Sequence, residues 1–247
     1  MKSVLLFTYS IIAYLIGFVS LLFWILSASS LVPEISIDRN PEVNFGAALL
    51  KNIGLVLLFA IPHSVMARKW FKDWITVFIP KPIERSTYVL VAGLLLAVLT
   101  WYWEPLGGVI WNISAGTTLF YAIYILSFLG WAILFISTFL INHFDLFGLR
   151  QTYLELTGKP YTSLNFKIVA FYKYARHPLY VGGILGLWAT PVMTVTHLHF
   201  ALLLTAYFVV GAIFEERDMM KEFGIQYEAY KKQTPMFLPF FKKRIRK

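Results

Sequence analysis

The chain is 247 residues long, 58% hydrophobic and only 14% charged, with a mean hydropathy of +0.66 and a formal charge of +9. Soluble domains carry about 25% charged residues, so this composition excludes an ordinary soluble fold and places the chain in lipid. With no cysteine in the chain, disulfides, thiolate metal sites, iron–sulfur clusters and a cysteine nucleophile are excluded as well.

The first apolar run, residues 4–26, is longer than a signal-peptide core. Only Ser27-Ala28-Ser29-Ser30 offers a weak cleavage cue, so the run reads as a retained first helix. Residues 45–66, 87–103 and 119–141 follow as spans two to four, each near the roughly 20 residues that cross a hydrocarbon core. Residues 179–214 exceed one span. Pro191 and Thr196-His197-Leu198-His199 break them into a tight helical hairpin, spans five and six. The expected fold is all-α: a polytopic integral membrane protein of about six transmembrane helices in one membrane domain over 1–247.

The loops orient it. With the N-terminus inside, every Lys and Arg except Arg39 and Lys51 lies on the cytoplasmic side, as the positive-inside rule demands. A five-span chain would instead leave the basic tail outside. The basic loops then meet anionic lipid rather than nucleic acid. The outer loops, 31–44 with Glu34, Asp38 and Glu42, and 104–116, are too small for a receptor domain. Chemistry falls to 142–178 and to the segment 215–247, both cytoplasmic. No internal repeat of the transporter kind is present.

Polar side chains at membrane depth are costly and normally face protein or water. Four groups stand out. His143, Asp145, Arg150 and Gln151 lie in Asn142-His143-Phe144-Asp145-Leu146-Phe147-Gly148-Leu149-Arg150-Gln151; if span four continues, His143, Phe147 and Arg150 share a face. Asp145 would orient His143 or pair with Arg150, and an interfacial cap with a snorkelling Arg is the plain alternative. Next comes Lys173-Tyr174-Ala175-Arg176-His177-Pro178-Leu179-Tyr180-Val181-Gly182-Gly183. Pro178 suits the first turn of a helix, whose free N–H groups cradle a carboxylate or phosphate. Gly182 and Gly183 permit close approach by a ligand or by a neighbouring helix. The third group is Glu215-Glu216-Arg217-Asp218, followed by Phe223, Tyr227 and Tyr230 at i, i+4, i+7, an amphipathic helix along the cytoplasmic interface. His63, in Pro62-His63-Ser64, is the fourth. No metal site is expected, because the histidines are scattered.

Arg176-His177-Pro178-Leu179-Tyr180-Val181-Gly182, then Glu215-Glu216, then Phe223-Gly224-Ile225-Gln226-Tyr227-Glu228-Ala229-Tyr230 and Pro235…Pro239, resemble the C-terminal signature of the isoprenylcysteine carboxyl methyltransferase superfamily. Residues 137–151, Pro160-Tyr161-Thr162 and Ala189-Thr190-Pro191-Val192-Met193-Thr194 narrow the resemblance to the membrane-bound methanethiol S-methyltransferases. Pro62-His63-Ser64 and Glu84-Arg85-Ser86-Thr87-Tyr88 are shared with the NnrU-type membrane proteins of denitrifying bacteria, and residues 1–44 add nothing diagnostic.

The resemblance implies S-adenosylmethionine as donor, methanethiol as acceptor, and dimethyl sulfide with S-adenosylhomocysteine as products. It implies an enzyme of the bacterial inner membrane that needs no obligate protein partner. Tyr174, Arg176, His177, Pro178, Tyr180, Gly182, Glu215, Glu216, Tyr227 and Tyr230 are then the donor-binding candidates. Arg176 and the helix start suit the donor carboxylate, and an acid suits its ammonium or ribose. His143 is the candidate thiol base, oriented by Asp145, with Arg150 favouring the thiolate and His63 as second base. Ser64, Asn142, Gln151 and Trp188 are the acceptor-side candidates. Another thiol, isoprenylcysteine or lipid acceptor, or a non-enzymatic accessory role, is the alternative.

Overall fold

A computed structural model describes residues 1–39 and 44–237. Glu42, Pro239, Lys242, Lys243, Arg244, Arg246 and Lys247 lie outside the described residues. The chain forms α1 (Lys2–Ser29), α2 (Phe45–Met66), α3 (Lys69–Ile75), α4 (Glu84–Trp101), β1 (Val109–Asn112), α5 (Thr118–Ile141), α6 (His143–Leu146), α7 (Leu149–Leu156), α8 (Pro178–Trp188), β2 (Val192–Thr194), α9 (Val195–Phe223) and α10 (Ile225–Gln233). Single 3-10 turns sit at Pro33–Ile35, Lys81–Ile83 and Ala170–Lys173.

The protein is an all-α polytopic membrane protein; among the described residues five helices are long and apolar enough to span: α1, α2, α4 with its preceding turn, α5 and α9. The first arm of the expected hairpin, α8, has 11 residues. At 1.5 Å per residue it is about 16 Å long, roughly half a hydrocarbon core. The hairpin breaks at Ala189 and Pro191, but Thr196–His199 belong to α9 and do not break it. Two of these residues meet polar partners distant in sequence: the Thr196 hydroxyl accepts from the Leu106 N–H at 2.8 Å, and His197 Nδ1 lies 3.6 Å from Asp38 Oδ2. The two strands, invisible in the hydropathy pattern, pair antiparallel with Val109 opposite Thr194 and Asn112 opposite Val192.

Two compact units divide the chain. The first comprises Met1–Asn112, Asn142–Ser163 and Val192–Leu203. Its core is α1 against α4, where a stripe of small residues on α1 (Ser10, Ala13, Gly17, Ser20) is buried and Gly93 of α4 approaches Gly17 backbone to backbone. One end of this unit carries Lys51 Nζ paired to Glu104 at 2.5 Å, Asn52 bonded to the Glu104 backbone, and Thr194 and Ser30 donating to Asp38.

The second unit comprises Ile113–Ile141, Leu164–Pro191 and Leu204–Lys247. Here α8 packs on α5 through glycine. A Cβ at Gly182 would lie 2.6 Å from both the Gly130 carbonyl oxygen and the Leu134 nitrogen, and one at Gly186 would strike the Trp131 ring at 2.5 Å. The G-x-x-x-G spacing of Gly182 and Gly186 thus serves close helix packing, and Ser127 adds a 2.9 Å hydrogen bond to the Gly186 carbonyl. α9 runs unbroken through Glu215 and Glu216 to Phe223, so both acids lie within the helix rather than at its C-terminus. The single amphipathic helix expected from 215 to 230 is therefore two helices, parted at Gly224.

Candidate active site

In the second unit the Arg176-His177-Pro178 segment opens α8, with His177 at the N-cap and Pro178 in the first turn. The Arg176 and His177 N–H groups donate to the Pro235 and Met236 carbonyls at 2.9 and 3.1 Å, tying this opening to the end of the described chain. Arg176 donates from Nε to Glu216 Oε1 at 2.6 Å, and its Nη2 lies 2.5 Å from the same oxygen. Its Nη1 donates to the Thr234 carbonyl and, at 3.2 Å, to that of Lys231. Lys231 Nζ sits 2.9 Å from Glu216 Oε2. The Arg176 and Glu216 side chains are 7% and 3% exposed. They form a buried charge pair that locks the helix start, α9 and α10 together.

Glu215, the next-door acid, is different: its side chain is 45% exposed. Its Oε2 accepts from the Tyr180 hydroxyl at 3.1 Å and lies 3.5 Å from His177 Nδ1. His177, Tyr180 and Phe208 stack in a ladder with ring centroids 5.5 and 5.4 Å apart. Burial pushes the His177 imidazole down, but the Glu215 and Glu216 carboxylates more than offset this and hold its pKa above the ordinary value. Tyr227 and Tyr230 are buried and pack around Phe166; Tyr230 donates to the Tyr172 carbonyl at 2.6 Å, and burial pushes its phenol up to about 12. Tyr174 is exposed.

The first unit resumes at Asn142, directly after α5, in an extended conformation (φ 172°), so the fourth span does not continue through Arg150 as the shared face required. Asn142 caps α6 by accepting from the Asp145 N–H at 3.1 Å. Gly148, at φ +86°, then turns the chain into α7, and a side chain there would collide with Ser86. The turn is braced from α1 and α4: Arg85 Nε donates to the Leu146 carbonyl at 2.7 Å, and Ser86 bonds both the Gly148 carbonyl and Ser10.

His143 is 2% exposed. Its Nε2 lies 3.0 Å from the Tyr14 hydroxyl, and the Tyr14 and Phe147 rings pack against it. Burial pushes its pKa down. The Asp145 carboxylate takes up Arg150 Nη1 at 2.7 Å and the Tyr161 hydroxyl at 3.4 Å. Arg150 also donates to the Thr162 carbonyl and hydroxyl and lies over the Tyr161 ring. Of the two partners open to Asp145 in the sequence, it has therefore taken Arg150, and Tyr14 is a group bonded to the imidazole. Gln151 donates to the Asp145 carbonyl at 3.1 Å while its buried Oε1 has no hydrogen-bond partner among the described residues. His63 Nε2 is 2.7 Å from the Tyr88 hydroxyl, and Arg85 lies over the Tyr88 ring.

No family model and no solved structure matches the chain. Curated proteins do. The chain is 48% identical to the methanethiol S-methyltransferase of Crocosphaera subtropica over 94% of its own length and 87% of the relative's. It is 47% identical to methanethiol S-methyltransferase 1 of Bradyrhizobium diazoefficiens over 95% and 82%, and 42% identical to the methanethiol S-methyltransferase of Mycobacterium tuberculosis over 97% and 98%. The chain belongs to the methanethiol S-methyltransferase family.

In this methanethiol S-methyltransferase family member the residues singled out in the sequence fall into both units. Arg176, His177, Tyr180, Glu215, Glu216, Tyr227 and Tyr230 gather in the second, and His143, Asp145, Arg150, Gln151 and His63 in the first. Ser64 holds Arg68 through its carbonyl, and Trp188 donates to Thr205 at 2.9 Å. Gly182 is taken by α5. Among the described residues no group of three or more His, Asp or Glu is placed to hold a metal ion. Sequence reading missed Tyr14, Thr162 and the bracing role of Arg85 and Ser86. The last two lie in a motif that carried the resemblance; Tyr14 lies in an apolar run with no motif.

Proposed function

We propose that this chain methylates methanethiol from S-adenosylmethionine, with α8 and the segment that follows it making a sixth crossing, so that the N- and C-termini and the chemistry lie on the cytoplasmic face of the bacterial inner membrane. The observation that carries the reading is the 42–48% identity to methanethiol S-methyltransferases over at least 94% of the chain, both polar clusters included.

The donor set suits S-adenosylmethionine. Glu215, half-exposed beside the His177–Tyr180–Phe208 ring ladder, offers a carboxylate for an ammonium or ribose hydroxyl and aromatic faces for adenine. Glu216 and Arg176 neutralise each other, so their work is to hold the helix start in place. When bound, S-adenosylmethionine would supply a methyl group on a positively charged sulfur; its transfer to the thiol sulfur gives dimethyl sulfide and S-adenosylhomocysteine, and the thiol proton is released.

The thiolate is the nucleophile, so the acceptor half must take a proton and exclude water. His143, nearly closed to solvent and held below its ordinary pKa, stays neutral near pH 7 and able to accept it. The orphaned Gln151 Oε1 is an acceptor suited to an incoming S–H, and Arg150, whose charge is largely offset by Asp145, retains guanidinium N–H donors for the thiolate beside those taken by Asp145 and Thr162. A small apolar pocket would select the one-carbon thiol.

The test is headspace gas chromatography on purified protein in detergent, given S-adenosylmethionine and methanethiol. Dimethyl sulfide formed only with both, and lost in His143→Ala with donor binding intact, supports the reading. Donor binding without product would move the acceptor elsewhere, and no donor binding would overturn the activity.

A further inference from the structure

We propose that α3 and the turn after it form an in-plane foot on the membrane surface. Trp70, Trp74, Val77 and Phe78 sink into the lipid, while Arg68, Lys69, Lys72 and Lys81 stay at the level of anionic headgroups. The proposal holds whatever reaction the chain performs.

The face is built by the sequence and left bare by the fold. α3 has seven residues, too few to cross a hydrocarbon core, and none of them is buried. The Val77 N–H donates to the Trp74 carbonyl, and those of Phe78 and Ile79 to the Ile75 carbonyl, carrying the helical turn past the end of α3. Trp70, Trp74, Val77 and Phe78 fall at i, i+4, i+7 and i+8, a single helical face. They are 63%, 53%, 78% and 69% exposed. Phe71 joins their rings, 5.8 Å from Trp70 and 5.3 Å from Trp74, and Trp74 lies 5.4 Å from Phe78.

Two observations identify lipid as the cover. The segment is tied at both ends to spans, to α2 at Met66 and to the span that opens at Lys81. Both ties lie at one face of the membrane, so the residues between them stay at its surface, the depth at which Trp rings are enriched. The charge is the second. Residues 67–81 hold four cations and one acid, Asp73. Lys69 and Asp73 pair at 2.7 Å beside the aromatic face, with side chains 86% and 64% exposed. A helix with aromatic residues on one face and cations on the other lies in the interface, and an anionic leaflet attracts those cations.

The foot leads straight into α4, where Arg85 holds the Leu146 carbonyl and Ser86 the Gly148 carbonyl. Its depth therefore sets the level at which the turn carrying His143 stands at the membrane surface.

The chain has no cysteine, so one introduced thiol carries a spin label alone. Val77→Cys and Phe78→Cys sample the apolar face, and Lys69→Cys and Asp73→Cys the charged one. Each is made in the full chain and reconstituted in vesicles of phosphatidylcholine with phosphatidylglycerol. All four side chains are exposed, so the labels leave the packing intact, and each face is read at two sites should one variant fail. Electron paramagnetic resonance compares collisions with oxygen, which concentrates in lipid, with collisions with a water-soluble nickel chelate. Labels at 77 and 78 are expected about 5–10 Å deep in the headgroup–acyl boundary, and those at 69 and 73 open to nickel. All four open to nickel would overturn the proposal. So would shielding at 77 and 78 that disappears as lipid is raised over protein, because a second copy would then be the cover. In phosphatidylcholine alone the foot should sit shallower, and equal depth in both vesicles would overturn the pairing with anionic headgroups.

Discussion

Glu215 and Glu216 are neighbours in the chain, yet the same conservative change should damage the protein in two unlike ways. Glu216→Gln keeps the shape of the side chain and removes its charge. Arg176, 7% exposed, then faces an amide, and Lys231 loses the oxygen 2.9 Å from its Nζ. Taking away one partner of a buried pair costs about 3–5 kcal/mol, because the other charge stays buried without compensation. For a chain of this size each kcal/mol lowers Tm by roughly 2–4 °C, so a fall on the order of 10 °C is expected. Glu215→Gln touches a side chain that is 45% exposed, where solvent screening keeps the stability cost below about 1 kcal/mol. Its effect should fall on the donor: loss of a charged hydrogen-bond acceptor weakens S-adenosylmethionine roughly 10- to 100-fold. Intrinsic tryptophan fluorescence on heating measures the first, and titration calorimetry the second. A Glu216→Gln protein with the wild-type Tm would refute the lock. A Glu215→Gln protein with the wild-type dissociation constant would remove Glu215 from the donor site.

Gly182→Ala should destabilise by about 1–3 kcal/mol, seen as a lower Tm, because the new methyl meets Gly130 and Leu134 backbone that has no rotamer to yield. Gly54→Ala, with nothing within 4 Å of the added carbon, should leave Tm level or raise it. The His177 pKa is raised in the folded state, so its contribution is fully present below the unfolded value of about 6.5 and fades as pH climbs through the raised one. Tm measured across that window should decline in the wild type, and more shallowly in His177→Gln.

Hydropathy alone located α2 to the residue and α5 to within one, since long runs of apolar side chains leave little choice of boundary. It failed where polar groups find partners far away in sequence. Thr196 and His197 look like a turn, but the Leu106 N–H bonds the Thr196 hydroxyl and the Asp38 carboxylate stands 3.6 Å from His197 Nδ1, so both stay within α9. On the proposed donor side the motif was legible, yet which acid faces inward was not. Two successive helical residues point about 100° apart, and only the position of Arg176 says which direction is the interior. On the acceptor side His143 and Arg150 stood out as polar groups beside an apolar span. Tyr14 did not, because a tyrosine in an apolar helix is unremarkable until its hydroxyl has a partner 129 residues away. The small-residue stripe Ser10, Ala13, Gly17 on the same face was the one local sign that this side of α1 packs closely.

The bonds from Arg176 and His177 to Thr234, Pro235 and Met236 set an order of assembly. Synthesis runs from the N-terminus, so the α8 segment emerges some sixty residues before the carbonyls that hold its opening exist. Membrane insertion can run through α9 while that opening still lacks its latch, and a message cut short before residue 234 should yield a chain that lacks the carbonyls holding Arg176 and His177. The last turn of α10 and the residues just after it are thus a completion signal, made last and needed before the Arg176–Glu216 pair can be sealed from water.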